Sequence, residues 1–275
     1  MQIPNCLFDS HCHTSYITHL SLTDIVDRCK LKNVSCIWSM SVVEEDFIKV
    51  IADSETTNGF VRPFLGVDPE VFVPNSTEFV GFEDSKFKIN KWKQKIIDSI
   101  YKYNSNPMIQ IGIGEIGLDM YWLRKNKCGQ SEINQSIDAQ ISLFRSMLEI
   151  ASEFSLPVSI HSRGYEYETF NIVKEFKINS TVVFHSFTGG FDLFLKIISA
   201  GYFIGINAIS TYKTGSNVLN NLTKVLNKKV ESLYDLYNRQ ILLETDAPYL
   251  SIDRNSRFSS PDQVYDLFEF LKSNL

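Results

Sequence analysis

The chain has 275 residues, a formal net charge of −5 at pH 7 and 44% hydrophobic residues. This composition excludes global disorder, and the acidic balance argues against a broadly basic surface that coats nucleic acid. An odd number of cysteines without a CxxC pair favours reduced thiols in the cytoplasm, with the nucleus as the alternative; they are Cys6, Cys12, Cys29, Cys36 and Cys128. We expect no signal peptide and no membrane span, because no apolar run is long enough.

Short apolar runs alternate with segments of helical periodicity along the chain. Eight runs are predicted as strands, at Leu7-Phe8, Val34–Met40, Val61–Val67, Met108–Ile113, Pro157–Ile160, Thr181–Phe184, Tyr202–Ile206 and Gln240–Leu243. Helices are predicted at Leu22–Leu31, Glu44–Ser54, Asn90–Tyr103, Glu132–Phe154, Tyr165–Phe176, Phe191–Ser199, Val218–Leu236 and Pro261–Leu271. The stretch Pro74–Lys88 is predicted as a loop.

This alternation predicts parallel βαβ units, and eight strands at this length favour a closed (β/α)8 TIM-type barrel of the α/β class. An open doubly wound sheet is the alternative, but the chain lacks a GxGxxG motif after its first strand. No internal repeat or Pro/Gly/Ser-rich linker interrupts the pattern. We therefore predict a single domain over residues 1–275.

Ionisable residues follow the predicted strands at the end where barrel enzymes place their active sites. His11 and His13 are two residues apart, a spacing that puts both imidazoles on one side of an extended chain. Glu115, His161, His185 and Asp246 close the fourth, fifth, sixth and eighth strands. Taken singly, each has an alternative to metal binding: His161 and His185 as hydrogen-bonded structural histidines, Glu115 as a solvated loop carboxylate and Asp246 as an N-cap. Their shared position favours a transition-metal or mixed-metal site.

The sequence resembles the TatD-type metal-dependent deoxyribonucleases, a branch of the amidohydrolase-like barrels. The resemblance rests on motifs in the family's order, namely Asp9-Ser10-His11-Cys12-His13, Gly114 to Asp119, Pro157 to Arg163, His185 with Phe187 and Gly189, and Glu244 to Tyr249. It implies two divalent metal ions, commonly Mg, with Mn and Zn as further candidates. By resemblance His11, His13 and Asp246 hold one ion, His161 and His185 hold the second, and Glu115 bridges them. Arg163 would face the substrate phosphate.

Two divalent ions can clamp a phosphate and lower the pKa of a bound water. Glu115, Asp246 and Arg163 are the predicted catalytic residues, with Asp246 as the best candidate for general base. For Arg163 an ion pair with Glu166 or Glu168 is the alternative to a phosphate contact. The predicted function is hydrolysis of phosphodiester bonds in DNA from an end. The expected substrate is a single-stranded or frayed end, and the expected enzyme is a monomer without a membrane partner.

The chain departs from the family at Asp68, where the family usually has a histidine before the proline. An aspartate at neutral pH cannot donate a hydrogen bond to a phosphate oxygen. Two alternatives therefore stay open, a barrel hydrolase of esters, lactones, amides or small phosphoesters and a non-catalytic metal-binding barrel.

Five further residues have open roles. Glu244 shares a face with Asp246 and is a candidate supporting partner. Tyr121 and Trp122 are either a stacking surface for bases or a buried aromatic wall. Arg257, like Arg254, either contacts phosphate or is a solvated loop charge.

Overall fold

The computed structural model describes residues 7–212, 216–226, 240–253 and 255–275. Eight strands occur in these ranges, namely β1 (Leu7–Cys12), β2 (Val34–Met40), β3 (Val61–Leu65), β4 (Gly112–Asp119), β5 (Val158–Arg163), β6 (Val182–Phe184), β7 (Phe203–Ile206) and β8 (Ile241–Leu243). The helices there are α1 (Leu22–Leu31), α2 (Asp46–Thr56), α3 (Ser85–Tyr103), α4 (Tyr121–Lys125), α5 (Gln130–Phe154), α6 (Glu166–Lys174), α7 (Phe191–Ser199), α8 (Ser216–Leu226) and α9 (Val264–Asn274). Cys6, Arg254 and the end of the helix predicted at Val218–Leu236 lie outside the described residues.

The strands are neighbours in one sheet in the order in which they occur in the chain. Every pairing whose register is defined is parallel. Helices alternate with the strands, which confirms the predicted (β/α)8 class. None of the helices in the described ranges is long and apolar enough to cross a membrane.

Internal packing distinguishes two compact units. The first comprises Met1–Ser39, Ala52–Arg62 and Val183–Leu275, and the second comprises Met40–Ile51 and Pro63–Val182. The single domain over residues 1–275 stays a prediction.

The first unit contains the pair β1–β2 and the run β6–β7–β8. Leu7 lies opposite Val34, and Gly205 of β7 lies opposite Leu242. An isolated bridge joins Cys12 at the end of β1 to Ala247 after β8. This bridge brings the end of β1 next to the end of β8 and places residues 11–13 beside residues 244–247.

The second unit contains the run β3–β4–β5. Phe64 lies opposite Gly112, and Leu118 lies opposite Ser162. All eight residues of β4 are buried. A Cβ atom at Gly66 would lie only 2.6 Å from the carbonyl carbon of Gly114, so glycine is required for the backbones to approach this closely.

Strand β4 begins four residues later than the sequence predicts. Met108 is 48% exposed, and its N–H donates to Asn106 Oδ1 in a turn. The strand starts at Gly112, where pairing with Phe64 begins. The motif around Glu115 therefore lies within the strand instead of following it.

The predicted loop over Pro74–Lys88 is wrong in its last four residues, because α3 already starts at Ser85. Asp84 has a φ of 54°, and its carbonyl accepts the first helical hydrogen bond from the N–H of Lys88. The first turn of this helix has a single apolar side chain, Phe87, which is 71% exposed, so the turn carries no apolar periodicity. Helix α4 was not predicted, since five residues are too few to show a period.

Candidate active site

Three imidazoles and two carboxylates lie together in the first unit, at the ends of β1, β6 and β8. His11 Nε2 is 3.3 Å from His13 Nε2, and His13 Nε2 is 3.4 Å from Asp246 Oδ1. The rings of His185 and His11 are stacked with centroids 3.5 Å apart. We call His11, His13, His185, Glu244 and Asp246 the three-histidine cluster. All three histidines and Glu244 are buried.

Buried Asp9 holds the two backbone segments of this cluster together. Its Oδ1 accepts hydrogen bonds from the N–H groups of Thr245 at 2.9 Å and His11 at 3.2 Å. Its Oδ2 accepts from the Thr245 hydroxyl at 2.5 Å. The N–H of Asp246 also donates to the carbonyl of His11 at 2.8 Å. Sequence reasoning gave Asp9 no role, although its spacing of two from His11 on β1 was a signal.

Glu244 supports His185. Its Oε1 lies 2.9 Å from His185 Nδ1 and accepts a hydrogen bond of 2.6 Å from the N–H of Ser186. Gly205 leaves the room for this carboxylate, because a Cβ there would lie 2.2 Å from Glu244 Oε2. Glu244, which the sequence predicts on the same face of the strand as Asp246, therefore bonds to His185. This bond fixes the ring orientation and leaves Nε2 of His185 as the ligating nitrogen.

The charges of this cluster suit a cation. Burial raises the pKa of Asp246, but the hydrogen bond with His13 and the nearby His185 and His11 outweigh it and lower the pKa below its usual range. Nitrogen atoms of His11 and His185 and an oxygen of Glu244 lie within 4.8 Å of one another. Glu244 Oε2 is buried and has no hydrogen-bond partner among the described residues. Imidazole and carboxylate donors in this arrangement fit a divalent metal ion.

A second cluster lies in the second unit around His161. Its Nδ1 is 2.8 Å from Glu115 Oε1, and its Nε2 is 2.9 Å from Asp119 Oδ2. We call Asp68, Glu70, Glu115, Asp119 and His161 the His161 cluster. Each ring nitrogen of the histidine thus contacts a carboxylate.

The electrostatics of the His161 cluster reflect its excess of carboxylates. Burial lowers the pKa of His161, but its bonds to Asp119 and Glu115 dominate and raise the pKa well above its usual value. Burial raises the pKa of Glu70 to about 7. Burial and the nearby Glu115 raise the pKa of Asp68. Buried carboxylates in such excess are stabilised by a bound cation, which supplies the missing positive charge.

Asp68 has a local structural role that accounts for an aspartate there. Its Oδ1 accepts a hydrogen bond of 2.7 Å from the N–H of Glu70. This bond caps the 3₁₀ helix Pro69–Phe72, and aspartate is among the preferred residues at helix starts. The residue that departs from the family pattern therefore orders the backbone beside Glu70.

A buried chain of hydrogen bonds positions Asp119. Gln140 on α5 accepts from the N–H of Asp119 at 2.8 Å, and its Nε2 donates to Ser136 Oγ at 3.0 Å. Ser136 Oγ in turn donates to the carbonyl of Phe72 at 2.6 Å. Sequence reasoning missed both Asp119 and Gln140 as supporting residues. A polar Gln140 beside the apolar stripe of α5 was the available signal.

Arg163 at the end of β5 is exposed and stacks on an aromatic ring. Its guanidinium carbon is 3.6 Å from the centroid of Tyr121. Within the described chain it forms no ion pair with Glu166, Glu168 or another carboxylate. Glu166 instead accepts a hydrogen bond from the N–H of Gly164. The ion-pair alternative for Arg163 is therefore not formed.

Comparisons with known proteins show to which family the chain belongs. A family model described as TatD related DNase matches residues 8–273. The deoxyribonuclease TATDN3 of Homo sapiens is 28% identical over 252 residues, which cover 91% of this chain and 81% of that protein. An uncharacterized metal-dependent hydrolase of Buchnera aphidicola is 26% identical over 271 residues, covering 96% of this chain and 87% of that protein.

A solved structure shows the same fold. The crystal structure of YjjV, a TatD homologue from Escherichia coli K12, matches with a TM-score of 0.75 and 22% identity and covers 98% of this chain and 90% of that chain. The family match runs from β1 to α9 and takes in both clusters. The chain therefore belongs to the TatD-related DNase family and is a hydrolytic enzyme.

Proposed function

We propose that the enzyme hydrolyses phosphodiester bonds in DNA with two divalent metal ions. The observation that carries the proposal is the presence of two clusters of histidines and carboxylates, one at the ends of β1, β6 and β8 and one on β4 and β5 around His161. Two relatives support it by name, since one is a deoxyribonuclease and the other a metal-dependent hydrolase.

In this proposal His11, His13 and Asp246 hold one ion, His161 and His185 hold the second, and Glu115 bridges them. Mg, Mn and Zn are the candidate metals, because carboxylates suit Mg and Mn and imidazoles suit Zn. When bound, the ions would neutralise charge on the scissile phosphate and lower the pKa of a coordinated water.

Side chains of the protein would transfer the proton, orient the metal ligands and bind the phosphate. Asp246 would accept the proton of the attacking water as general base. Glu244 and Asp119 hold the rings of His185 and His161 in place. Arg163 has no carboxylate partner in the described chain, which leaves its guanidinium available for the non-bridging phosphate oxygens.

We further propose that the enzyme is a monomer that acts from the end of a single or frayed strand. Active sites of this fold lie at the mouth of the barrel, where a single strand enters more readily than an intact duplex.

Cleavage of end-labelled single-stranded oligonucleotides tests the proposal. Chelated protein should be inactive and should recover activity with Mg, Mn or Zn. Asp246→Ala and Glu115→Ala should each lose at least about 100-fold in rate, more than loss of a supporting residue causes. Glu153→Ala removes an exposed carboxylate on α5 and serves as the matched control. Equal cleavage by all four proteins would show that another nuclease is responsible.

Asp68 favours one competing substrate class, because an extra carboxylate in the His161 cluster repels phosphate. Turnover of esters, lactones or amides with oligonucleotides left intact would replace DNA as the substrate. Bound metal without turnover of any substrate would favour the non-catalytic barrel.

A further inference from the structure

Two neighbouring aromatic rings pack against two cations beside the His161 cluster. Arg163 Cζ lies 3.6 Å from the centroid of Tyr121, and Lys125 Nζ lies 3.9 Å from that of Trp122. The two rings are 5.3 Å apart and inclined at 76°. We call Tyr121, Trp122, Lys125 and Arg163 the cation–aromatic strip.

The strip is accessible from solvent. Tyr121 is 38% exposed, Lys125 and Arg163 are exposed, and Trp122 is half-buried. The other two tryptophans of the chain, Trp38 and Trp92, are buried in the core. The strip therefore offers ring surface that no core contact covers completely.

Positive charge is concentrated here, and Arg163 interacts electrostatically with Glu70 without a close ion pair. Arg163, Lys125 and the neighbouring Arg124 and Lys127 form no ion pair in the part of the chain that the structure describes. Lysines elsewhere do pair with carboxylates, as Lys91, Lys93 and Lys196 show. Cations left unpaired in a protein of net charge −5 are available for an anionic partner.

The strip is attached directly to the proposed catalytic residues. Arg163 follows His161 by two residues on β5 and lies opposite Asp119 in the sheet register. Asp119 Oδ2 contacts His161, while Asp119 Oδ1 accepts a hydrogen bond of 2.8 Å from the N–H of Trp122. One carboxylate thus orients the histidine and fixes the first turn of α4.

We propose that the cation–aromatic strip binds single-stranded DNA, with Lys125 and Arg163 on phosphates and the exposed faces of Tyr121 and Trp122 stacked on bases. This inference rests on the proposed nuclease function and adds the surface that holds the strand. Neighbouring aromatic rings flanked by cations offer stacking surface for bases and positive charge for the phosphates of a single strand. A duplex does not fit the strip, because its base faces are already stacked on each other.

Binding of a fluorescent phosphorothioate-linked dT oligomer of about 12 nucleotides, which resists cleavage, tests the strip on the full chain with Mg present. Tyr121→Ala should weaken binding by about 10-fold, and Tyr121→Phe should retain it because the ring remains. Lys125→Ala should reduce the slope of log K against log salt by about 0.7. Oligomer binding should also quench tryptophan fluorescence, and Trp122→Phe should abolish the quenching because Trp38 and Trp92 are buried.

Two substitutions serve as matched controls. Tyr101→Ala removes an aromatic ring that is 66% exposed, and Lys174→Ala removes a lysine 5.5 Å from the ring centroid of Phe170. Both should leave oligomer binding unchanged. Tyr121→Ala and Lys125→Ala proteins that bind like these controls would overturn the inference, as would equal loss of duplex and single-strand binding. If the protein binds the oligomer but does not cleave an ordinary oligonucleotide with metal present, the nuclease function is contradicted. The inference that the strip binds single-stranded DNA would then still hold.

Discussion

The three-histidine cluster and the His161 cluster use opposite mixtures of the same ligand types. The first has three imidazoles and two carboxylates, whereas the second has one imidazole and four carboxylates. Imidazole suits borderline metals such as Zn, and carboxylate suits hard cations such as Mg. The first cluster therefore supplies three of the four imidazoles of the proposed centre. Because Asp246 adds a ligand beside His11 and His13, we expect Zn to bind more tightly there than at the site held by His161 and His185.

The two clusters also differ in what holds their ligands. Asp9 ties backbone to backbone in the first unit. In the second, the side chains of Gln140 and Ser136 connect Asp119 to the carbonyl of Phe72. Substitutions can therefore disturb the two clusters separately.

The largest expected effect is loss of a nitrogen ligand. His13→Ala should lower DNA cleavage by at least about 100-fold, since a ligand matters more than its supporting residues. Calorimetric titration of the chelated wild type with Zn should show a tight phase and a weaker phase, and His13→Ala should remove the tight one. A tight phase that survives in this variant would refute the assignment of His13 to the more tightly bound ion.

The next effect concerns the carboxylates that orient histidines. Glu244→Gln and Asp119→Asn should each lower metal affinity or activity by about 10–100-fold. Glu244 orients His185 and Asp119 orients His161, and both histidines hold the second ion in the proposal, so both changes should affect the weaker Zn phase. If the two variants alter different phases, the two histidines do not hold the same ion. Unchanged circular dichroism would show that neither variant has simply unfolded.

Substitution of two glycines provides a third comparison. The change at Gly66 should mainly lower stability, and the change at Gly205 should mainly lower activity. Gly66→Ala places a Cβ 2.6 Å from backbone carbon, which cannot move aside, and should lower the free energy of unfolding by about 3 kcal/mol. Gly205→Ala meets the side chain of Glu244 at 2.2 Å and should cost about 1 kcal/mol, while displacing this carboxylate from His185.

Urea denaturation and cleavage rates together measure this contrast. Gly190→Ala is the control, because a Cβ there meets nothing within 4 Å. Activity that falls only in proportion to stability in Gly205→Ala would argue against the role of Glu244.

The smallest effect is expected in the chain of hydrogen bonds behind Asp119. Gln140→Leu leaves the buried N–H of Asp119 without its acceptor and should cost about 1 kcal/mol. Gln135→Leu, on the exposed side of α5, should change stability very little. Thermal unfolding of the two variants should separate them, and equal shifts in Tm would show that the bond to Asp119 contributes nothing.

Much of the fold follows from local periodicity, so β2, α1 and α7 were predicted with the bounds that the structure shows. Strand β4 was misplaced because its glycines and Glu115 lack the β-branched pattern that marks a strand. The histidines were found because two of them share a short motif and the others close apolar runs. Asp9 and Gln140 act through partners 236 and 21 residues away. Their spacing and polarity mark them in the sequence, but neither signal identifies the partner.

The bond between Asp9 and Thr245 spans 236 residues, and this separation has a consequence for biosynthesis. His11 and His13 leave the ribosome first, but Asp246 follows only after about 10–50 s of further elongation. Until then the growing chain has the imidazoles of His11 and His13 but lacks Asp246, the carboxylate that completes the proposed ligand set. The order of synthesis thus delays the proposed nuclease until the last strand is made, and any chain that terminates before β8 is released without it.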